Sequence, residues 1–285
     1  MGSPAYQAAV EAVRQLGAQG WLRDGSLTGA NLTGASLKGS ALAEARLREA
    51  LFDEADLQEA DLRQADLTGA RFEGANLQAA RLDGALLDEA WLQDSNLGQA
   101  VLRRASLRSA TLQTASLSGA DLSHAVLTDA NLRWADLSGS QLLEATLRNA
   151  VLQEADLARA SLEGADLRDA NVYWANLAGA NLRKADLRGA DLRQSSLEGA
   201  NLRGANLKGA RRASVDQLRA SFVDQPGTLE GATLPDGTTL SGRADLDQAL
   251  KLTEPDWRTA FEEWAKTVAV NEAGYIVPAA LPGDD

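Results

Sequence analysis

The stretch Ala55-Asp56-Leu57-Gln58-Glu59-Ala60-Asp61-Leu62-Arg63-Gln64-Ala65-Asp66-Leu67 decides the fold. Leucine stands at every fifth position, and an alanine stands two residues before each. Outward from here the register runs from Leu22 to Leu207, thirty-eight units without a slip. Phe or Val sometimes replaces the leucine, and Gly or Ser the alanine. A period of five fits neither a helix at 3.6 residues per turn nor a flat strand at two. On an ideal helix the leucines would smear around the whole circumference, about 140° further at each step. A chain that turns a corner every five residues instead puts every leucine inside and closes a square after four units. The expected coil has about twenty residues, and nine to ten coils stacked at ~4.8 Å make a rod about 45 Å long. No single coil buries enough to fold alone, so stability comes from each coil's contact with its neighbours.

The run Ala180-Asn181-Leu182-Arg183-Lys184 and its thirty-seven companions resemble the pentapeptide-repeat family. The resemblance implies an all-β solenoid, a right-handed quadrilateral β-helix. It places Leu and Ala toward the axis and the other three positions outward. It also implies a mostly non-enzymatic bacterial family, some of whose members protect DNA gyrase by imitating DNA or bind regulatory proteins.

The rest of the chain divides around this run. Residues 1–20 read as an N-terminal capping helix, with Tyr6, Val10, Val13 and Leu16 on one stripe and Trp21 sealing the junction. Residues 21–211 are the β-helix. Residues 212–252 are expected to form an irregular terminal coil and cap, with Ser214 capping a short helix over 214–220. In the same stretch Leu229 and Leu234 recover a five-residue step. Residues 253–270 read as an amphipathic helix with Trp257, Phe261, Trp264 and Val268 on one stripe, either capping the rod or forming a homodimer contact. Residues 271–285 are expected to be a flexible tail.

Composition narrows the function. The 285 residues include no cysteine, one histidine and a net charge of −12. A disulfide framework or thiolate metal site is therefore excluded, and a direct nucleic-acid binder is disfavoured because it needs a basic footprint. No membrane span or secretory leader is legible, so a cytoplasmic protein is expected. Charge is also polarised along the rod. Residues 20–99 hold fourteen acids and seven bases, whereas residues 100–211 hold twelve acids and fourteen bases.

Taking every twentieth residue sorts the four sides. One carries Ser36, Asp56, Asn76, Asn96, Ser116, Asp136, Asp156, Asn176 and Ser196 before its leucines, short polar groups suited to hydrogen-bonding along a column. The side built on Leu32, Phe52 and Phe72 carries Leu51, Trp91, Trp134, Val151, Tyr173 and Trp174 at outward positions, and aromatics so placed suit a partner surface. Leu86, Val101, Val126 and Leu143 are spread over other sides.

No catalytic, cofactor or metal constellation emerges. Asp56, Asp61 and Asp66 point from successive sides and diverge. Asp136 and Asp156 are neighbours, but on a convex wall rather than in a cleft. His124 stands without a second imidazole or a thiol, and no phosphate-loop, dinucleotide, metalloprotease or calcium-loop pattern is present. Together the residues and the resemblance lead to a non-enzymatic scaffold that binds a partner protein through a rigid surface. The alternative is a DNA mimic that binds and protects or modulates gyrase or a related topoisomerase, as in quinolone- or toxin-resistance proteins.

Overall fold

The computed structural model describes residues 15–18, 20–222, 229–240 and 257–278. Between Asn31 and Arg211 every pairing is parallel and joins a residue to the one twenty further on, as in Asp56↔Asn76↔Asn96. Each coil therefore returns on itself after four five-residue units, and the four sides stack into four continuous columns.

Four of the five backbone N–H groups of a regular unit are met by backbone carbonyls. The leucine N–H donates to the next coil (Leu57 N to Asn76 O, 2.7 Å), and so does the residue two beyond it (Glu59 N to Gln78 O, 2.9 Å). The residue before leucine donates to the preceding coil (Asn76 N to Ala55 O, 2.9 Å). Alanine closes the corner (Ala60 N to Leu57 O, 3.0 Å). The fifth N–H, just after leucine, is met by the side chain before leucine when that is Asp or Asn (Gly98 N to Asn96 Oδ1, 3.0 Å; Ser138 N to Asp136 Oδ1, 2.9 Å). A short carboxylate or amide there has a local job, because an unmet backbone donor costs about as much as a lost hydrogen bond.

The axis is filled. The central leucines of the units from Leu42 to Leu207, and the alanines that precede them, are buried. Phe52 and Phe72 stack on adjacent coils with centroids 4.8 Å apart and planes 3° apart. Ser95, Ser140 and Ser195 stand at alanine positions and donate to the carbonyls of Leu92, Leu137 and Leu192. At the N-terminal end Leu27 and Leu32 are only half-buried.

Corners impose the strongest local demand. The second residue after each leucine has positive φ, near 60°, whether it is Gly69, Glu44, Arg104 or Trp134. Where a corner glycine follows a long corner side chain one coil earlier, that side chain lies over it: a Cβ on Gly164 would sit 3.2 Å from Glu144 Cγ, and one on Gly69 3.5 Å from Glu49 Cγ.

The C-terminal cap is built from three pieces. Helix α1 (Val215–Ala220) starts at Ser214, whose side chain accepts from Gln217 N while the Gln217 side chain accepts from Ser214 N. Gln217 Nε2 also donates to Leu192 O and to Ser195 O, the second a carbonyl that a further regular coil would have met. Residues 229–240 continue the ladder out of register, with Leu207 N donating to Thr233 O, and bury Leu229, Leu234 and Leu240. Helix α2 (Trp257–Thr267) lies over this coil.

Two expectations need correction. Residues from 271 were expected to form a loose tail, but Val270 pairs with Ile276, Tyr275 pairs with Ser214, and Ile276 is buried. The apolar Ile276 docks beside Ala213, which the off-register sequence gave no means of foreseeing. Trp21 does not seal the first coil, since half of it is exposed. The expected N-terminal helix, apart from helical residues 15–18, lies outside the described residues.

Candidate functional site

The face built on the Leu32 column carries Leu51, Arg71, Trp91, Thr111, Asn131, Val151, Asn171 and Asp191 as successive rungs. One corner of the same face carries Trp134, Glu154 and Trp174. Trp91, Trp134 and Trp174 are 51%, 46% and 53% exposed, so about half of each indole meets water although its backbone is fixed in the ladder. Leu51, Val151 and Tyr173 are half-buried.

The structure gathers Trp134, Val151, Tyr173 and Trp174 into one patch. Tyr173 and Trp174 pack with centroids 5.7 Å apart, and Trp134 stands two coils away on the same corner, about 10 Å by the ladder spacing. Trp91 lies on the opposite edge of the face, two coils before the Asn131–Trp134 coil and three before Val151. Leu51 is six coils from Asn171, roughly 29 Å, and so stands apart from the patch.

Polar neighbours that the sequence reading passed over hold the rings. The Arg133 guanidinium lies 3.9 Å from the Trp134 ring centroid, and Arg193 lies 4.0 Å from that of Tyr173. Arg133 Nη2 also reaches Glu154 Oε1 at 3.6 Å, and Gln153 Nε2 donates to the same oxygen at 3.2 Å. The signal was available: Arg133, Gln153, Tyr173 and Arg193 form one twenty-step column.

The C-terminal stripe is used differently. Phe261 is buried and Trp264 is 8% exposed. Phe261 meets Phe222 edge-on at 5.1 Å and Trp264 at 5.3 Å, while Trp264 Nε1 donates to Asp236 Oδ2 at 2.7 Å. Val268 is half-buried against the same core, and the side chain of Trp257 lies outside the described residues. Arg219 clamps this helix to α1 by two hydrogen bonds to Glu262, at 3.2 and 3.1 Å. That pairing holds the Glu262 carboxyl below the usual carboxylate range and raises Arg219. Phe261 and Trp264 are thus spent within the cap.

Several outward groups on the other faces are already engaged. Asp136 and Asp156 each accept a backbone N–H, His124 faces Glu144 at 3.4 Å, and Arg103 and Arg183 pair with acids of the preceding coil. Among the described residues no group of three or more His, Cys, Asp or Glu could hold a metal ion, and no helix is long and apolar enough to cross a membrane. Glu44, Glu49, Glu54 and Glu59 occupy four successive corners and ring the acidic end of the rod.

Comparison with known proteins agrees with this architecture. The family profile described as Pentapeptide repeats (8 copies) matches residues 30–69 and, in overlapping segments, 80–209. Among solved structures the chain is similar to HetL, a pentapeptide repeat protein involved in heterocyst differentiation regulation from the cyanobacterium Nostoc sp. strain PCC 7120. Identity is 32% over 81% of this chain and 98% of that one, with a TM-score of 0.45. It is 22% identical to full-length QnrB1, a plasmid-mediated fluoroquinolone resistance protein, over 64% of this chain and 91% of that one, with a TM-score of 0.37. Rfr23, from the cyanobacterium Cyanothece 51142, is 42% identical over 28% of this chain and 58% of that one, with a TM-score of 0.22. No curated protein sequence matches the chain. The unbroken five-residue register, the twenty-residue ladder and the profile over more than half the sequence place the chain in the pentapeptide-repeat family of right-handed β-helices.

Proposed function

We propose that the protein is a non-enzymatic cytoplasmic scaffold that docks a partner protein on the face bearing Trp91, Trp134, Tyr173 and Trp174. One observation carries this reading. Trp134 and Trp174 occupy corners with φ of 61° and 57°, a backbone region that bulky residues enter at a cost, and still leave about half of each ring in water. The half of each ring that Arg133 and Tyr173 leave uncovered is free to meet a partner. Exposed aromatic anchors beside arginine are what protein interfaces concentrate. The rod supplies them already fixed, so association orders little.

The test uses Trp134→Gly/Trp174→Gly. Glycine suits these corners, so the fold is kept while the rings are removed. Full-length wild type retains a specific partner from a lysate of its source, and the double variant, with unchanged circular dichroism and melting, loses it. Equal retention by both overturns the reading.

A second reading, a DNA mimic directed at gyrase or a related topoisomerase, draws support from the acidic ring at Glu44, Glu49, Glu54 and Glu59. A supercoiling assay with gyrase and a fluoroquinolone decides it: protection of activity by added protein supports mimicry, and its absence leaves the scaffold.

A further inference from the structure

We infer that the C-terminal end of the aromatic face selects the partner by its charge, taking a protein segment that sets a carboxylate side chain beside an apolar one. The inference rests on the reading of this face as a docking surface. Arg193 is held over Tyr173 at 4.0 Å, and its Nε is buried with no acceptor. No carboxylate among the described residues pairs with it.

Asp191 and Glu154, the acids that the last four coils of this face carry, are already engaged. Asp191, on the same coil, gives one oxygen to Arg212 and the other to the backbone N–H of Arg193 (3.1 Å). Glu154 is taken up by Arg133 and Gln153. Arg211 directs its Nε to Gly189 O. Three guanidiniums, at Arg193, Arg211 and Arg212, therefore meet one carboxylate at this end of the face, in a chain whose net charge is −12.

The terminal nitrogens of Arg193 are a planar donor fork on the coil next to Tyr173 and the half-exposed Trp174. Stacking on Tyr173 has already removed much of the fork's freedom, so a carboxylate arriving there gains a directed, charge-assisted contact. An apolar side chain beside it would cover Trp174. A single-stranded nucleic acid could also meet aromatics and arginines. The same face, however, carries Asp53, Glu54, Glu73 and Asp94 toward its other end, which repel a polyanion lying along the rod but not one isolated carboxylate.

A randomised peptide library displayed on phage, panned on the full-length chain, tests this. The peptides expected to be enriched pair Asp or Glu with Trp, Phe or Leu. Their affinity should fall roughly tenfold or more with Arg193→Gln, partly survive Arg193→Lys, weaken with salt, and vanish with Trp134→Gly/Trp174→Gly. Peptides that lack acids, or that bind Arg193→Gln as tightly as wild type, overturn the carboxylate inference and leave the docking face standing. A library with no binder that depends on Trp134 and Trp174 overturns both. Binding of an oligothymidylate more tightly than any selected peptide overturns the inference in favour of nucleic acid.

Discussion

At the residue scale the corner position separates what the repeat needs from what it tolerates. Glycine there relieves the left-handed backbone and also leaves room for the long side chain one coil earlier. Gly164→Ala loses both, since its Cβ would meet Glu144 Cγ at 3.2 Å at a φ of 67°. A loss of about 1–2 kcal/mol is expected in a urea titration, and an unchanged midpoint would contradict this account of the corner. Buried serines make a second test. Ser140 Oγ donates to Leu137 O, whereas Ser40 Oγ is buried without a partner. Ser40→Ala is therefore expected to stabilise by about 1 kcal/mol and Ser140→Ala to be near neutral, read from the same titrations. Asn96→Ala strips the acceptor from Gly98 N–H and should cost about 1 kcal/mol. The inward lining was legible because an apolar residue, nearly always leucine, and a small one, nearly always alanine, recur at a fixed step. The corner was not, because Glu, Gln, Arg, His and Trp all stand there, and only the ladder's geometry shows that they share one backbone state.

At the scale of the element, the coil and the cap differ in how they are specified. A coil is held by its neighbours, so a void at the axis is felt locally: Phe52→Ala removes one ring of the Phe52–Phe72 stack and should cost about 3–5 kcal/mol. The cap is held by particular partners, above all Arg219–Glu262 and Trp264–Asp236. Because Arg219 lowers the Glu262 carboxyl's pKa, the stability this pair contributes is complete above the unfolded carboxylate value, about 4.3. It is lost as the pH falls through the lower folded value. Acidification should shift the fluorescence of Trp264, measured as the difference from Trp264→Phe, and Glu262→Gln should abolish that pH dependence. A difference signal that ignores acid in wild type would contradict the clamp. α1 was legible from Ser214 and Gln217, a local capping pair. The coil at 229–240 and the hairpin at 270–277 were legible only in fragments, because their pairing partners are set by the end of the rod and not by any repeat.

Across the whole molecule, the five-residue register turns sequence order into position on a surface. Aromatics spread from Trp91 to Trp174 come onto one face because eighty residues are four coils, and sorting by twenty reveals this before any coordinates. What sorting cannot reveal is which outward side chains are already engaged, such as Glu154 with Arg133, and which are left open, such as the Arg193 fork. The central claim is that this face exists fully formed before any partner arrives. Amide hydrogen exchange on the free protein tests it most directly. Slow exchange is predicted for the ladder and corner amides from Leu37 to Leu207, with faster exchange in the half-buried first coil around Leu27 and Leu32. Rapid exchange in the coils that carry Trp134 and Trp174 would show a surface assembled only on binding, and would contradict the account.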